Sequence, residues 1–116
     1  MLGRRCHIPL SELERQVLAS FRNRVRAQLR EEQIEVMLFG SKARGEDRED
    51  SDLDVLVIVS GEDWRLSDHV YGIATDLLLE TGVCISPKII SARQYRLLQE
   101  EEAPFVRNVI RDAVAI

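Results

Sequence analysis

The sequence predicts a mixed α/β (α+β) fold, a small sheet with helices packed on it. Two observations predict it. Apolar residues recur every three or four positions in three or four stretches, which is helical periodicity. Between those stretches lie short valine- and isoleucine-rich runs of strand length, bounded by glycine, serine and aspartate. The resulting order is helix, strand, loop, strand, helix, strand, helix, helix, a layered arrangement around one core.

The first ten residues carry no periodic pattern and are read as a flexible N-terminal arm (1–10), leaving 11–116 as a single domain. Ser11 followed by Glu14 is a capping box that starts a helix. Leu13, Val17, Phe21, Val25 and Leu29, with Leu18 alongside, make its apolar stripe, while Arg15, Arg22, Arg26 and Arg30 share another face. That charged face reads first as solvated helix surface. Ile34 to Phe39 is a short apolar strand ending at Gly40, and residues 41–51 are a polar loop. Asp52 to Val59 is a second strand. After a turn at Gly61 to Asp63, Leu66 to Glu80 is helical through Leu66, Val70, Ile73, Ala74 and Leu77, with Gly82 as a C-cap signal. Val83 to Ile90 is a third strand, and Pro87 within it removes a ladder donor, which places it at a sheet edge or a local irregularity. Ala92 to Glu101 and Pro104 to Val114 close the chain as helices, the last with a stripe of Val106, Val109, Ile110 and Ala113.

Composition narrows the function. With 116 residues, 45% hydrophobic and 31% charged, the chain reads as soluble and globular rather than disordered. Aromatics are only 5%, too few for a base-stacking surface, and the net charge of −4 opposes generic nucleic-acid binding. Charge is uneven: residues 1–48 hold ten Lys/Arg against seven Asp/Glu, and 49–116 hold six against thirteen. The two cysteines, Cys6 and Cys84, show no zinc spacing, so a reducing cytoplasm is the expected location. No apolar run approaches a membrane span. His7 and His69 lack partner patterns and are read as surface residues.

The chemistry concentrates between Gly40 and Val59. Gly40-Ser41 is a turn leaving a strand, where glycine lets a ligand approach the backbone, exposed amides favour an anion, and the Ser41 hydroxyl can bond a phosphate oxygen. Lys42 and Arg44 add positive charge. Asp52 and Asp54 stand at i and i+2 of a strand, so both carboxylates project from one face. Like charges that close call for a cation, and a divalent ion such as Mg²⁺ takes carboxylate oxygens together with phosphate and water. The strand beyond them is strongly apolar, so the aspartates guard the entrance of a buried strand. A short connection brings turn and carboxylates to the same end of the sheet.

Gly40-Ser41, Arg44-Gly45 and Ser51-Asp52-Leu53-Asp54 resemble the signature of the DNA polymerase beta-like nucleotidyltransferase superfamily, and the short chain looks most like its minimal nucleotidyltransferase (MNT) branch. The resemblance implies a nucleotidyltransferase-type small mixed sheet. It implies transfer of a nucleoside monophosphate from a nucleoside triphosphate, with ATP expected, to a hydroxyl of a protein or small molecule. By analogy Gly40, Ser41 and Arg44 bind the triphosphate, while Asp52 and Asp54 are the catalytic residues and hold two Mg²⁺ ions. MNT proteins of this kind pair with HEPN-domain toxins as antitoxins, and the arginine face and apolar last helix leave a homodimer open. One departure stands out. The family places a third carboxylate on the strand after the intervening helix. Here Val83 to Ile90 has no acid, and Cys84 stands in the matching place, with Asp76 and Glu80 as remote substitutes. The alternative function is therefore a catalytically weakened MNT-fold module that masks a partner by contact.

Overall fold

The computed structural model describes residues 10–40 and 52–116, apart from the side chain of Asp112. Its elements run α1 (Glu12–Gln28), β1 (Ile34–Phe39), β2 (Leu53–Val59), α2 (Trp64–Thr81), β3 (Ile85–Ser91), α3 (Ala92–Glu100), α4 (Pro104–Asp112) and β4 (Val114–Ala115). The predicted arm over 1–10 lies outside the described residues except for Leu10, which is half-buried against the core.

Local signals set the helix ends. Ser11 accepts from the Glu14 amide at 3.0 Å and its own amide donates to Glu14 Oε1 at 2.9 Å, the reciprocal box expected from the sequence. A second such box, Ser91 with Gln94, starts α3 and was not read from the sequence. Asp63 caps α2, and Gly82 ends it in the left-handed region at φ +78°.

The strands form one mixed sheet in the order β3-β2-β1-β4. β2 pairs antiparallel with β1 (Phe39 opposite Asp54) and parallel with β3 (Leu53 opposite Ile85, Asp54 opposite Ser86), with α2 as the crossover. Glu32 ties the far end of the β1–β2 pair by accepting from Ser60 Oγ at 2.7 Å and the Gly61 amide at 2.6 Å. β3 is an edge strand, one of the two settings that Pro87 allowed. The Leu53 amide donates to the Cys84 carbonyl at 3.0 Å, and the even spacing of a parallel ladder then turns the Pro87 nitrogen outward, where no donor is needed.

Side chains alternate across the sheet into two cores. Val55, Val57 and Val59 join Val36, Leu38 and Ile85 against the stripes of α1 (Val17, Phe21, Val25) and α2 (Val70, Ile73, Leu77). Leu56 and Ile58 face the other way, against Val109, Phe105 and Tyr95 of α4 and α3. Phe21 is fully buried in the larger core. Phe21→Ala is expected to cost about 3–5 kcal/mol, the usual result of emptying an aromatic site that cannot collapse. Urea unfolding of the purified chain measures it, and a loss under ~1 kcal/mol would mean the core repacks.

The sequence reading needs four corrections. Strand β2 begins at Leu53, so Asp52 precedes it rather than opening it. Leu13 is 47% exposed, and the buried stripe of α1 is Val17, Leu18, Phe21 and Val25. The last helix stops at Asp112, and Val114–Ala115 instead forms β4, pairing with Leu38 and Met37 of β1. Ile110 is 61% exposed rather than part of the buried stripe. Phe105 packs into the smaller core beside Val109 and Ala113, which turns α4 so that Ile110 faces away. Among the described residues, no helix is long and apolar enough to cross a membrane.

Candidate active site

β1 and β2 run antiparallel, so the exit of β1 and the entrance of β2 lie at one end of the sheet. Gly40 leaves β1 there, and Asp54 enters β2 opposite Phe39. From Val55 onward β2 is buried on both faces, whereas Asp54 is half-buried and Asp52 exposed. The two carboxylates thus stand where a wholly apolar strand meets solvent, with Asp54 on the face shared with Leu56 and Ile58.

Gly40 and Asp54 are built for one another. Gly40 adopts φ +78°, a left-handed conformation that side chains disfavour. A Cβ on Gly40 would collide with Asp54 Oδ2, and would lie 3.1 Å from its Cγ and 3.2 Å from its Cβ. Glycine here serves the carboxylate as well as any ligand, since it alone leaves the space that Asp54 occupies. Ser41 and Arg44 lie outside the described residues.

The register along β3 identifies what faces the aspartates. Leu53 pairs with Ile85, which puts Cys84 beside Asp52 and Ser86 beside Asp54. Burial first, then the charge and hydrogen bonding of Asp52, push the Cys84 thiol above its ordinary value. Cys84 is therefore a neutral thiol near pH 7, neither a thiolate nucleophile nor a third carboxylate. Glu80 does not substitute: its carboxylate forms a two-pronged pair with Arg24 of α1 at 2.9 and 3.1 Å. That pair holds Glu80 below the usual carboxylate range and lies on the α1–α2 side of the sheet, away from Asp52 and Asp54. Asp76 likewise contributes its charge to Arg24. Arg15, Arg26 and Arg30 are exposed, as a solvated face would be. His69 is exposed too, and His7 lies outside the described residues.

Lys88 is a neighbour the sequence reading passed over. It pairs with Leu56, one same-face step along β3 from Ser86, with Nζ 4.8 Å from the centre of the Phe105 ring. Phe105 in turn meets Phe39 edge-on at 5.7 Å. An aromatic pair and a cation therefore border the Asp54 side of the sheet. The alternation of β3 was legible in the sequence, but its alignment with β2 was not.

The donor set suits a hard divalent cation. Asp52 and Asp54 offer carboxylate oxygens at the entrance of β2, and Mg²⁺ is commonly held by one or two carboxylates with phosphate oxygens and water completing its shell. Among the described residues no group of three His, Cys, Asp or Glu gathers around a common point. A cavity of about 270 Å³ lies at the opposite end of the sheet, lined by Val59, Asp63, Trp64, Ser91 and Gln94. Seven residues of β2 separate it from Asp52, roughly 20 Å of strand, so it is no part of this site.

The buried central strand of this mixed sheet opens on acidic residues, beside a glycine at the end of its antiparallel neighbour. The chain belongs to the nucleotidyltransferase family: the family model described as "Nucleotidyltransferase domain" matches residues 18–112. The chain is also similar to a Methanocaldococcus jannaschii protein called "Putative protein adenylyltransferase", with 33% identity over 99 residues, covering 85% of this chain and 93% of the other. The matched span runs from α1 through α4 and includes the whole Gly40–Asp54 segment. The fold class and the MNT-like resemblance both hold, and the chain is a nucleotidyltransferase.

Proposed function

We propose that this chain transfers AMP from ATP to a hydroxyl of a protein, with Asp52 and Asp54 holding Mg²⁺ ions. The observation that carries the reading is the Asp54 carboxylate, held against Gly40 at the mouth of a strand buried on both faces. The protein acceptor and the adenine base follow the name of the similar protein. A HEPN-domain toxin is the acceptor that the MNT resemblance suggests, with cytoplasmic action.

In the proposed reaction the acceptor oxygen forms a bond to the α-phosphorus. The bond from that phosphorus to the bridging oxygen breaks, pyrophosphate leaves, and the hydroxyl proton passes to water or a basic group. Bound divalent ions would supply positive charge for the triphosphate and the transition state. The chain contributes the Asp54 carboxylate, held on β2 against Gly40 before the substrate arrives, which lowers the reorganisation that accompanies reaction. Ser41 and Arg44 are proposed to bind triphosphate oxygens from the loop that follows Gly40. Lys88 stands on the same sheet face, where it can attract the polyphosphate.

The neutral Cys84 thiol favours a second reading, a domain that binds nucleotide and a protein partner but transfers slowly. Labelled ATP, GTP, CTP and UTP, each incubated with the chain, Mg²⁺ and a lysate, separate the readings. The first expects label in a protein, greatest from ATP and abolished by a chelator. Label confined to small molecules, or none beside demonstrable triphosphate binding, would reject it. Cys84→Asp sharpens the test. Placing a carboxylate beside Asp52 is expected to raise the transfer rate by about tenfold or more with Mg²⁺ present, within the usual worth of a proton-accepting or ion-holding group. An unchanged or lower rate in a folded variant would show that the reaction does not want an acid at this position.

A further inference from the structure

Strand β3 brings no acid to the proposed ion site. Among the described residues no third acid gathers with Asp52 and Asp54. Glu80 is committed to Arg24, and Asp76 also lends its charge to that arginine. Cys84 stands beside Asp52 with a thiol that burial, above all, keeps protonated. A neutral sulfur is a poor donor to a hard cation such as Mg²⁺, which selects oxygen.

Ser86 carries the oxygen that Cys84 lacks. It pairs with Asp54 in the parallel β2–β3 ladder. Neighbouring strands lie about 4.8 Å apart, and paired side chains leave the same face of the sheet. Ser86 is exposed, and its hydroxyl has no hydrogen-bond partner among the described residues. Several other hydroxyls are engaged elsewhere. Ser11 and Ser91 cap helices, Ser60 donates to Glu32, and Thr75 and Thr81 donate to carbonyls of α2. Ser86 and Gly40 flank the Asp54 carboxylate from its two neighbouring strands, β3 and β1. Gly40 gives the carboxylate its room, and Ser86 stands on the open side. A serine or threonine hydroxyl beside a carboxylate is an established way to hold Mg²⁺, used by P-loop nucleotide-binding proteins.

We propose that Ser86 Oγ is a further protein oxygen for the divalent ion at Asp54, in the role that an acid on β3 would fill. The inference rests on the nucleotidyl-transfer reading and adds a residue to that site. It also sets the order of binding. Two carboxylates and a hydroxyl bring one negative charge fewer than three acids, and ion affinity follows ligand charge. The ion is therefore held weakly until a triphosphate adds its own oxygens, so ion and nucleotide bind together.

Calorimetry of the full chain with an ATP analogue whose α–β bridge is a methylene group tests this without requiring turnover. The analogue is titrated as its Mg²⁺ complex and again with a chelator present. Ser86→Ala should weaken binding of the Mg²⁺ complex about tenfold, the usual scale for a group in a metal's protein surroundings. Without Mg²⁺ it should bind the analogue as the native chain does. Ser86→Cys should bind the Mg²⁺ complex poorly and the Cd²⁺ complex well, because sulfur favours the softer ion. The native chain, which already carries Cys84, controls for thiols elsewhere. Thermal melts establish folding, and if Ser86→Ala misfolds, the change of ion preference in Ser86→Cys decides. Equal affinity of native chain and folded Ser86→Ala for the Mg²⁺ complex would overturn the inference. So would an equal loss with and without Mg²⁺, which would place Ser86 against the nucleotide. Asp54→Asn tests the underlying reading separately. If Mg²⁺ strengthens binding as much in Asp54→Asn as in the native chain, or in neither, the ion site itself is refuted and Ser86 falls with it. If Asp54→Asn loses the Mg²⁺ effect and Ser86→Ala keeps it, the role of Ser86 alone is refuted.

Discussion

Asp54→Asn is expected to lower nucleotide transfer by on the order of a thousandfold while leaving the fold intact. Asparagine has the shape of aspartate, so the space beside Gly40 stays filled and the register of β2 is undisturbed. What it lacks is the negative charge that would hold a divalent ion. An ion's stabilisation of transition-state charge is worth several kcal/mol, and each 1.36 kcal/mol is tenfold in rate. Asp52→Asn should follow the same direction with a smaller loss, because Asp52 is exposed and water can take over part of its role. A second readout separates chemistry from folding. Mg²⁺ with triphosphate should raise the melting temperature of the native chain by linkage and fail to do so for Asp54→Asn. Native rates in the Asn variant would remove Asp54 from the reaction. Lost activity with an unchanged Mg²⁺-dependent melting shift would keep the ion but place it elsewhere.

How much of this was legible in the sequence depends on the distance over which each signal acts. The capping box at Ser11, the glycine stop at Gly82 and the edge position implied by Pro87 were readable, since each rests on backbone chemistry within a few residues. The strand that carries Asp54 was readable because its valine-rich pattern is local as well, whereas its start at Leu53, one residue after Asp52, was not. Strand β4 was not, for two residues carry no periodicity, and Val114 extends the apolar pattern of α4 as naturally as it begins a strand. The burial of Ile110 was misjudged for a related reason. A stripe read from one helix does not say how wide the opposing surface is, and here Phe105 takes the place. Long-range register was the largest gap. That Cys84 faces Asp52, that Ser86 faces Asp54, and that Glu80 is committed to Arg24 all follow from how separate elements align. The same holds for Gly40, where the sequence suggested room for a phosphate and the structure adds room for a carboxylate fourteen residues on.

Gly40→Ala turns that last point into a measurement, because the protein supplies its own control. Gly40 and Gly82 share φ +78°, so alanine at either position incurs the same left-handed backbone penalty, about 1–2 kcal/mol. Their surroundings differ. A Cβ at Gly82 meets nothing within 4 Å, whereas at Gly40 it falls on the Asp54 carboxylate. Gly82→Ala is therefore expected to lose stability and keep its transfer rate. Gly40→Ala is expected to lose at least as much stability and about a hundredfold in rate, the penalty for shifting a catalytic group by roughly 1 Å. Comparing the two below both melting temperatures cancels the backbone effect and isolates the carboxylate's position. Equal activity in the two variants would show that Asp54 can swing aside and return without consequence. A deficit confined to Gly40→Ala would show that the rate depends on where this side chain is held, with its charge left unchanged. Asp54→Asn removes the charge and keeps the place, Gly40→Ala moves the place and keeps the charge, and the two together divide what the carboxylate contributes.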